Sequence, residues 1–92
     1  MELGGIVTSY PALVEWDENA GAYGAVFPDL DISAVGVTLE DTLVNATEML
    51  HDYVMEMESR GWTFAQPSPM QEVDVPEGAT LVWVPLALPS KL

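Results

Sequence analysis

A single amphipathic segment limits the folds open to this chain more than any other feature of its sequence. Apolar residues between positions 39 and 57 recur at alternating steps of four and three, which places them on one side of a helix: Leu39, Leu43, Ala46, Leu50, Tyr53 and Met57. Thr38 suits an N-cap, and Arg60 with Gly61 suits the end of the helix. The chain therefore contains one long helix, and extended segments must supply the rest of its core.

The segment from Ile6 to Trp16 reads as the first strand, because it is rich in β-branched and aromatic residues. Its even-numbered residues are the more apolar set, so we expect them to face the core and Glu15 to point the other way. Pro11 has no N–H to donate to a ladder, which predicts an edge, a bulge or an interruption at that position.

Three further strands are predicted from turn signals and apolar runs. Turn-forming residues at 17–21 join the first strand to a second at 22–27, which makes a hairpin. A third strand is predicted at 32–37, directly before the helix. Beyond the helix, a proline-rich stretch near 66–78 predicts an extended connection, and the apolar run at 79–88 predicts the last strand.

The order strand, strand, strand, helix, strand indicates the α+β class, with one long helix packed on a small antiparallel sheet. The chain has 92 residues, which supply enough side chains for one core and too few for two. We therefore expect residues 1–92 to form a single domain.

The charge of the chain excludes several classes of partner. The chain contains 15 acidic residues and two basic ones, so its net charge is −13. A surface with this charge repels phosphate backbones and acidic lipid headgroups. We expect neither direct nucleic-acid binding nor membrane binding. No apolar run reaches the roughly 18 residues of a membrane span, and the first residues do not resemble a signal peptide, so the expected location is the cytoplasm.

Few residues of this chain suit catalysis or cofactor binding. There is no cysteine, and His51 is the only histidine, so disulfides, cysteine zinc sites and two-histidine sites are excluded. Asp29 and Asp31 share one loop, and such pairs can bind Mg²⁺ or act as acid and base, but in a Pro-Asp-x-Asp turn the tendency of Asp to bond its own backbone is the better explanation. We expect no catalytic residue, no metal site and no cofactor.

The second and last strands are apolar on both of their faces, whereas one helix covers only one face of a sheet. A second copy or a partner chain is therefore predicted to cover the remaining face, and Tyr23, Phe27 and Trp83 are the residues expected at a self-association surface. The alternative is that the segment at 62–69 and the carboxyl-terminal tail fold back across this face.

Three acidic residues form a ridge along the predicted helix. Glu48, Asp52 and Glu56 follow one another at i, i+4 spacing, and no lysine within the helix offsets their mutual repulsion. One interpretation is a solvated face that keeps the protein soluble. The other is a surface that attracts a basic protein partner, with Asp29 and Asp31 on an adjacent loop contributing further charge.

Three motifs occur in an order that resembles the HicB-like antitoxin family. They are Tyr10-Pro11-Ala12-Leu13-Val14-Glu15, then Gly24-Ala25-Val26-Phe27-Pro28-Asp29-Leu30, then Gly36-Val37-Thr38-Leu39-Glu40-Asp41-Thr42-Leu43-Val44-Asn45-Ala46. The resemblance extends from about Tyr10 to Pro69 and implies a partial RNase H-like fold of three strands, a helix and a further strand.

The resemblance also implies a function. Members of the family are non-catalytic antitoxins that bind a small basic ribonuclease of the HicA type and block its RNA-binding surface and catalytic histidine. Many members carry a carboxyl-terminal DNA-binding module, and we expect none in this chain, which stops at Leu92. Two alternatives remain: an orphan domain that self-associates as a scaffold, and a metal-dependent nuclease that uses Asp29 and Asp31.

Overall fold

A computed structural model describes residues 5–63 and 66–89 of the chain. The predicted order of elements is confirmed, with one additional 3-10 turn in the connection between the helix and the last strand. The elements are β1 (Gly5–Asp17), β2 (Ala22–Phe27), β3 (Ile32–Gly36), α1 (Leu39–Ser59), the 3-10 turn (Met70–Glu72) and β4 (Thr80–Pro89).

The four strands form one antiparallel sheet in the order β3-β2-β1-β4. β1 pairs with β4 along ten positions, from Gly5 opposite Pro89 to Val14 opposite Thr80. β2 pairs with only the second part of β1, from Leu13 onward. The first half of β1 and the end of β4 therefore form a two-stranded ribbon that extends past β2.

The prolines of the ribbon agree with a single hydrogen-bonding pattern. Pro11 lies opposite Trp83 and Pro85 lies opposite Ser9, so both prolines occupy odd-numbered pairs of the ladder. In an antiparallel ladder, only every second pair of opposite residues exchanges backbone hydrogen bonds. If the even-numbered pairs exchange them, neither Pro11 nor Pro85 has to donate an N–H to the other strand, and neither has one to donate. β1 is continuous at Pro11, and it is an edge there on the side of β2, because pairing with β2 begins at Leu13.

The core lies between the sheet and α1. The prediction for the even-numbered positions of β1 is confirmed at Tyr10, Ala12 and Val14, which are almost fully buried, while Glu15 is exposed. Trp16, also predicted to face the core, is 47% exposed near the end of the strand, and the side chains of Ile6 and Thr8 lie outside the described part of the structure. The other strands add Ala25, Phe27, Ala34, Val84 and Leu86.

The buried stripe of α1 differs from the predicted one by a small rotation. Thr42, Ala46, Leu50 and Val54 are fully buried, whereas Leu39 is 47% exposed. The apolar periodicity missed Thr42 because its side chain is polar. Its hydroxyl donates to the Thr38 carbonyl at 2.8 Å, which satisfies the group inside the core.

Both ends of α1 are confirmed. The Thr38 hydroxyl accepts a hydrogen bond from the backbone N–H of Asp41 at 3.0 Å. At the other end Gly61 has a φ of 71°, and its N–H donates to the Glu58 carbonyl at 3.1 Å while the Trp62 N–H donates to the Met57 carbonyl at 2.9 Å. This pair of bonds is a Schellman motif, which requires a left-handed residue after the helix.

Two contacts hold the start of α1 against β3. A Cβ atom added to Gly36 would lie 2.5 Å from the backbone nitrogen of Thr42, so only glycine permits this approach. Further along the helix, the Asn45 side-chain amide donates to the Val35 carbonyl at 2.8 Å. These contacts fix the orientation of α1, and with it the direction in which the acidic side chains point.

Candidate functional site

The acidic ridge, defined as Glu48, Asp52 and Glu56, lies on the exposed side of α1 as predicted. Its members have different neighbours. Glu56 forms an ion pair with Arg60 one turn later. The Asp52 carboxylate lies 3.7 Å from Nδ1 of the exposed His51, and no ion pair to Glu48 occurs in the described part of the chain.

The ridge is poorly compensated by positive charge. Arg60 is the only lysine or arginine within residues 5–63 and 66–89, and its guanidinium also lies 4.9 Å from the centre of the Trp62 ring. The second basic residue of the chain, Lys91, falls outside those ranges. With Arg60 engaged by Glu56, the described residues offer no lysine or arginine to Glu48 or Asp52.

The loop between β2 and β3 carries the two remaining predicted binding residues. Asp29 is half-buried, and its carboxylate accepts hydrogen bonds from the backbone N–H and the hydroxyl of Ser68 at 2.9 and 2.6 Å. Asp31 is exposed and has a φ of 59°, a left-handed conformation that Asp tolerates better than most residues. Asp29 therefore ties the connection to the sheet, whereas Asp31 presents a carboxylate to solvent.

Tyr10 lies in the core near this loop. Burial raises the pKa of its hydroxyl above the usual value for tyrosine, and the charges of Asp29 and Tyr53 raise it further. The raised pKa favours the neutral, protonated form of the Tyr10 hydroxyl. The residues that the structure describes contain no group of three or more His, Cys, Asp or Glu side chains that could hold a metal ion.

A groove of about 560 Å³ lies between one side of α1 and β4, which is an outer strand of the sheet. Its polar wall comes from the helix and its apolar base from the strand. The lining residues are Thr47, Glu48, His51, Asp52, Pro85 and Leu86.

The opposite side of the sheet carries apolar residues that α1 does not cover. We call Leu13, Val26, Val35, Leu81 and Trp83 the outer sheet face. Val26, Val35 and Trp83 are 48%, 66% and 37% exposed, respectively. Pro76 of the connection lies beside Leu13 and Val26, so the connection covers this face only in part.

The three predicted self-association residues are separated by the fold. Trp83 belongs to the outer sheet face. Tyr23 lies on the helix side of the sheet, half-buried, with its ring edge-to-face against Trp16 at 4.9 Å between centroids. Phe27 is fully buried beneath α1, so it offers no surface to a second chain. Alternation along β2 places Phe27 on the same side as Tyr23 and Ala25, but alternation alone does not tell which side faces the core. The register with β1 decides that this side faces α1.

Sequence reasoning did not identify Ser68, Asn45 or the strand side of the groove. Ser68 and Asn45 bond to residues 39 and 10 positions away, and no local pattern signals such contacts. Pro85 within an apolar run was an available signal, because proline inside a strand is confined to edges and bulges. No described helix is long and apolar enough to cross a membrane.

Comparison with known proteins agrees with the motifs. The family model described as the HicB-like antitoxin of bacterial toxin-antitoxin systems matches residues 9–91, which is most of the chain. No curated protein and no solved structure was found to be similar. The match includes β1 from residue 9 onward, the other three strands, the helix and the loop described above, and it implies a toxin as the partner in general terms. The chain belongs to the HicB-like antitoxin family.

Proposed function

We propose that this protein neutralises a small basic toxin of the HicA type by binding it through the exposed side of α1 and covering its RNA-binding and catalytic surface. One observation carries the proposal: Glu48 and Asp52 lie exposed on a helix, and no lysine or arginine of the described residues compensates them. A basic partner supplies the missing charges. Since such a toxin acts on mRNA, we place the antitoxin in the cytoplasm.

The geometry ranks the predicted binding residues. Glu48, Asp52 and Asp31 are exposed carboxylates available to a partner, whereas Glu56 must first release Arg60 and Asp29 must release Ser68. A close charge pair that loses water at an interface contributes on the order of 1.5 kcal/mol or more, while pairs at the rim mainly raise the association rate. We therefore expect Glu48 and Asp52 to dominate the electrostatic contribution.

The test is the double variant Glu48→Lys with Asp52→Lys, compared with Glu15→Lys with Glu77→Lys as a control of equal charge change at exposed positions elsewhere. Association with a purified, catalytically inactive HicA-type toxin is measured at low and high salt. The helix variant should slow association by about tenfold or more at low salt, since steering depends on local charge. Equal slowing by both variants would show that net charge, and not the helix surface, governs binding.

We further propose that the protein is not an enzyme. The two bonds from Ser68 occupy the Asp29 carboxylate, which weakens the alternative of a nuclease based on Asp29 and Asp31. Calorimetric titration with Mn²⁺ and an RNA cleavage assay distinguish the two possibilities. Metal binding accompanied by cleavage that Asp31→Asn abolishes would establish the nuclease.

A second candidate function is self-association through the outer sheet face. The exposure of Val26, Val35 and Trp83 favours it, because a second molecule that covers these apolar side chains removes them from water, and this burial stabilises the complex. Sedimentation of the protein and of Val26→Glu, which places a charge in the middle of this face, tests the idea. A wild-type protein that sediments as a monomer at all concentrations would exclude the scaffold alternative as well.

A further inference from the structure

The groove between α1 and β4 combines an acidic wall with an apolar base. Glu48 and Asp52 stand one helical turn apart on the wall, about 6 Å along the helix axis. Leu86, at 3% exposure a member of the core, and Pro85 form the base. A surface of this kind suits a partner segment that is basic along its flank and apolar on the side facing the groove.

The backbone of β4 decides what kind of segment can lie there. Since Pro11 and Pro85 have no N–H and both occupy odd-numbered pairs, we infer that the even-numbered pairs of the β1–β4 ladder exchange the hydrogen bonds. On that pattern the odd-numbered residues of β4 direct their backbone groups away from β1. Pro85 and Pro89 occupy two of these outward positions and have no N–H. A partner strand added to this edge would meet missing donors beside the groove.

The same alternation is visible at the other end of the sheet. Bonding through the even-numbered residues of β3 directs the Val35 carbonyl outward, and this carbonyl accepts the bond from Asn45 at 2.8 Å. The outward backbone of β3 is thus partly occupied by the helix. Beside the groove, the missing donors of Pro85 and Pro89 disfavour an added strand, which favours a partner that binds through its side chains.

We propose that the groove receives a basic amphipathic helix of the partner protein. Two lysine or arginine residues one turn apart would pair with Glu48 and Asp52, and an apolar side chain between them would lie against the exposed Pro85 on the strand side of the groove. The inference rests on the proposed function and deepens it. It names the groove of this protein to which the toxin binds and the shape of the toxin element that enters that groove.

The absence of cysteine from the sequence makes a direct test possible. Thr47→Cys introduces a thiol at an exposed position that lines the groove, and Ser33→Cys introduces one at an exposed position on β3 as the matched control. Each variant is coupled to a bulky maleimide, and its folding is verified by circular dichroism. The probe is a purified, catalytically inactive HicA-type toxin.

The adduct at Thr47→Cys should weaken toxin binding by about tenfold or more, and the adduct at Ser33→Cys should leave it unchanged. Unchanged affinity for both adducts would overturn the groove while leaving the proposed function in place. A wild-type chain that does not bind the toxin would instead refute the proposed function, and the groove with it.

The shape of the partner element is tested by coupling a benzophenone maleimide to Thr47→Cys and mapping the crosslinked toxin residues by mass spectrometry. A helix in the groove gives crosslinks at intervals of three or four residues near lysine or arginine. Crosslinks at alternate residues would indicate a strand and would overturn the inference.

Discussion

The two sides of the sheet differ in what they leave exposed. On the helix side, α1 covers the apolar residues of the strands and presents carboxylates, Glu48 and Asp52 among them, to solvent. On the other side, Val26 and Trp83 remain exposed beside a connection that covers part of the face. One helix cannot bury both sides of a sheet whose second and last strands are apolar on both faces, so this fold separates a charged surface from an apolar one.

This separation suggests two kinds of contact. A charged surface mainly sets the rate and selectivity of association, whereas an apolar surface stabilises a complex through the area it removes from water. The edges of the sheet favour neither, because Pro85 interrupts the donors of β4 and Asn45 occupies a carbonyl of β3. We therefore expect partners to bind through side chains on the two sides and not to add a strand to either edge.

The largest expected contrast between the two sides comes from truncating one aromatic residue on each. Phe27→Ala removes a fully buried ring and should lower the free energy of unfolding by about 3–5 kcal/mol. Trp83→Ala removes a ring that is 37% exposed and should cost about 1 kcal/mol or less. Urea denaturation measures both. Similar losses would mean that the outer sheet face is packed as tightly as the core.

The same substitution at two glycines sharpens the comparison. Gly36→Ala forces a Cβ to 2.5 Å from the backbone of Thr42 and should destabilise the protein by about 1–3 kcal/mol or more. Gly24→Ala on the opposite side adds a Cβ with no atom within 4 Å, so stability should stay within about 0.5 kcal/mol of wild type. Chemical denaturation of the pair gives the difference. A neutral Gly36→Ala would show that α1 can move away from β3 freely.

The connection should loosen when its tie to Asp29 is removed. Ser68→Ala deletes the hydroxyl that donates to Asp29 at 2.6 Å and should cost about 1 kcal/mol, since the backbone bond at 2.9 Å remains. Hydrogen exchange should become faster at the Ser68 position and stay unchanged in α1. Unchanged exchange in the connection would show that other contacts hold it in place.

The smallest expected effect concerns pH and the helix side of the sheet. Burial, together with Asp29 and Tyr53, raises the pKa of Tyr10 in the folded state. As pH rises through the usual tyrosine value of about 10, the unfolded chain loses this proton before the folded chain does, so the free energy of unfolding falls. At pH values well below 10, Tyr10 is protonated in both states, so its contribution to the free energy of unfolding does not change with pH. Tyr10→Phe should make the alkaline decrease shallower, and an identical decrease would assign it to other groups.

Local patterns predicted the elements well because each has a signal within a few residues. Thr38 and Gly61 mark the ends of α1 through bonds to residues three or more positions away along the helix. Alternation in β1 identified Tyr10, Ala12 and Val14 as the core side. The periodicity of the helix placed its buried stripe slightly off: polarity hid Thr42, whose hydroxyl is satisfied within the helix, and the spacing selected the exposed Leu39 while leaving out the buried Val54.

The candidate site was predictable as a set of charges and not as a geometry. The i, i+4 spacing alone put Glu48, Asp52 and Glu56 on one exposed side of α1. The geometry needed the structure. The ion pair of Glu56 with Arg60 is local, but it depends on the conformations of two exposed side chains. Two other features of the geometry depend on contacts between distant segments: the bond of Asp29 to Ser68 and the groove beside β4. For the same reason Phe27 was assigned to a surface, although it lies in the core.

By itself the sequence determined the α+β order, the limits of the helix, the excess of negative charge and the antitoxin family, because periodicity, capping and composition act locally or over the whole chain. Only the tertiary structure decided which carboxylates remain available and which apolar side of the sheet stays uncovered. Those properties depend on strand register and on the orientation of α1, which residues far apart in sequence, such as Gly36 and Thr42, fix by direct contact.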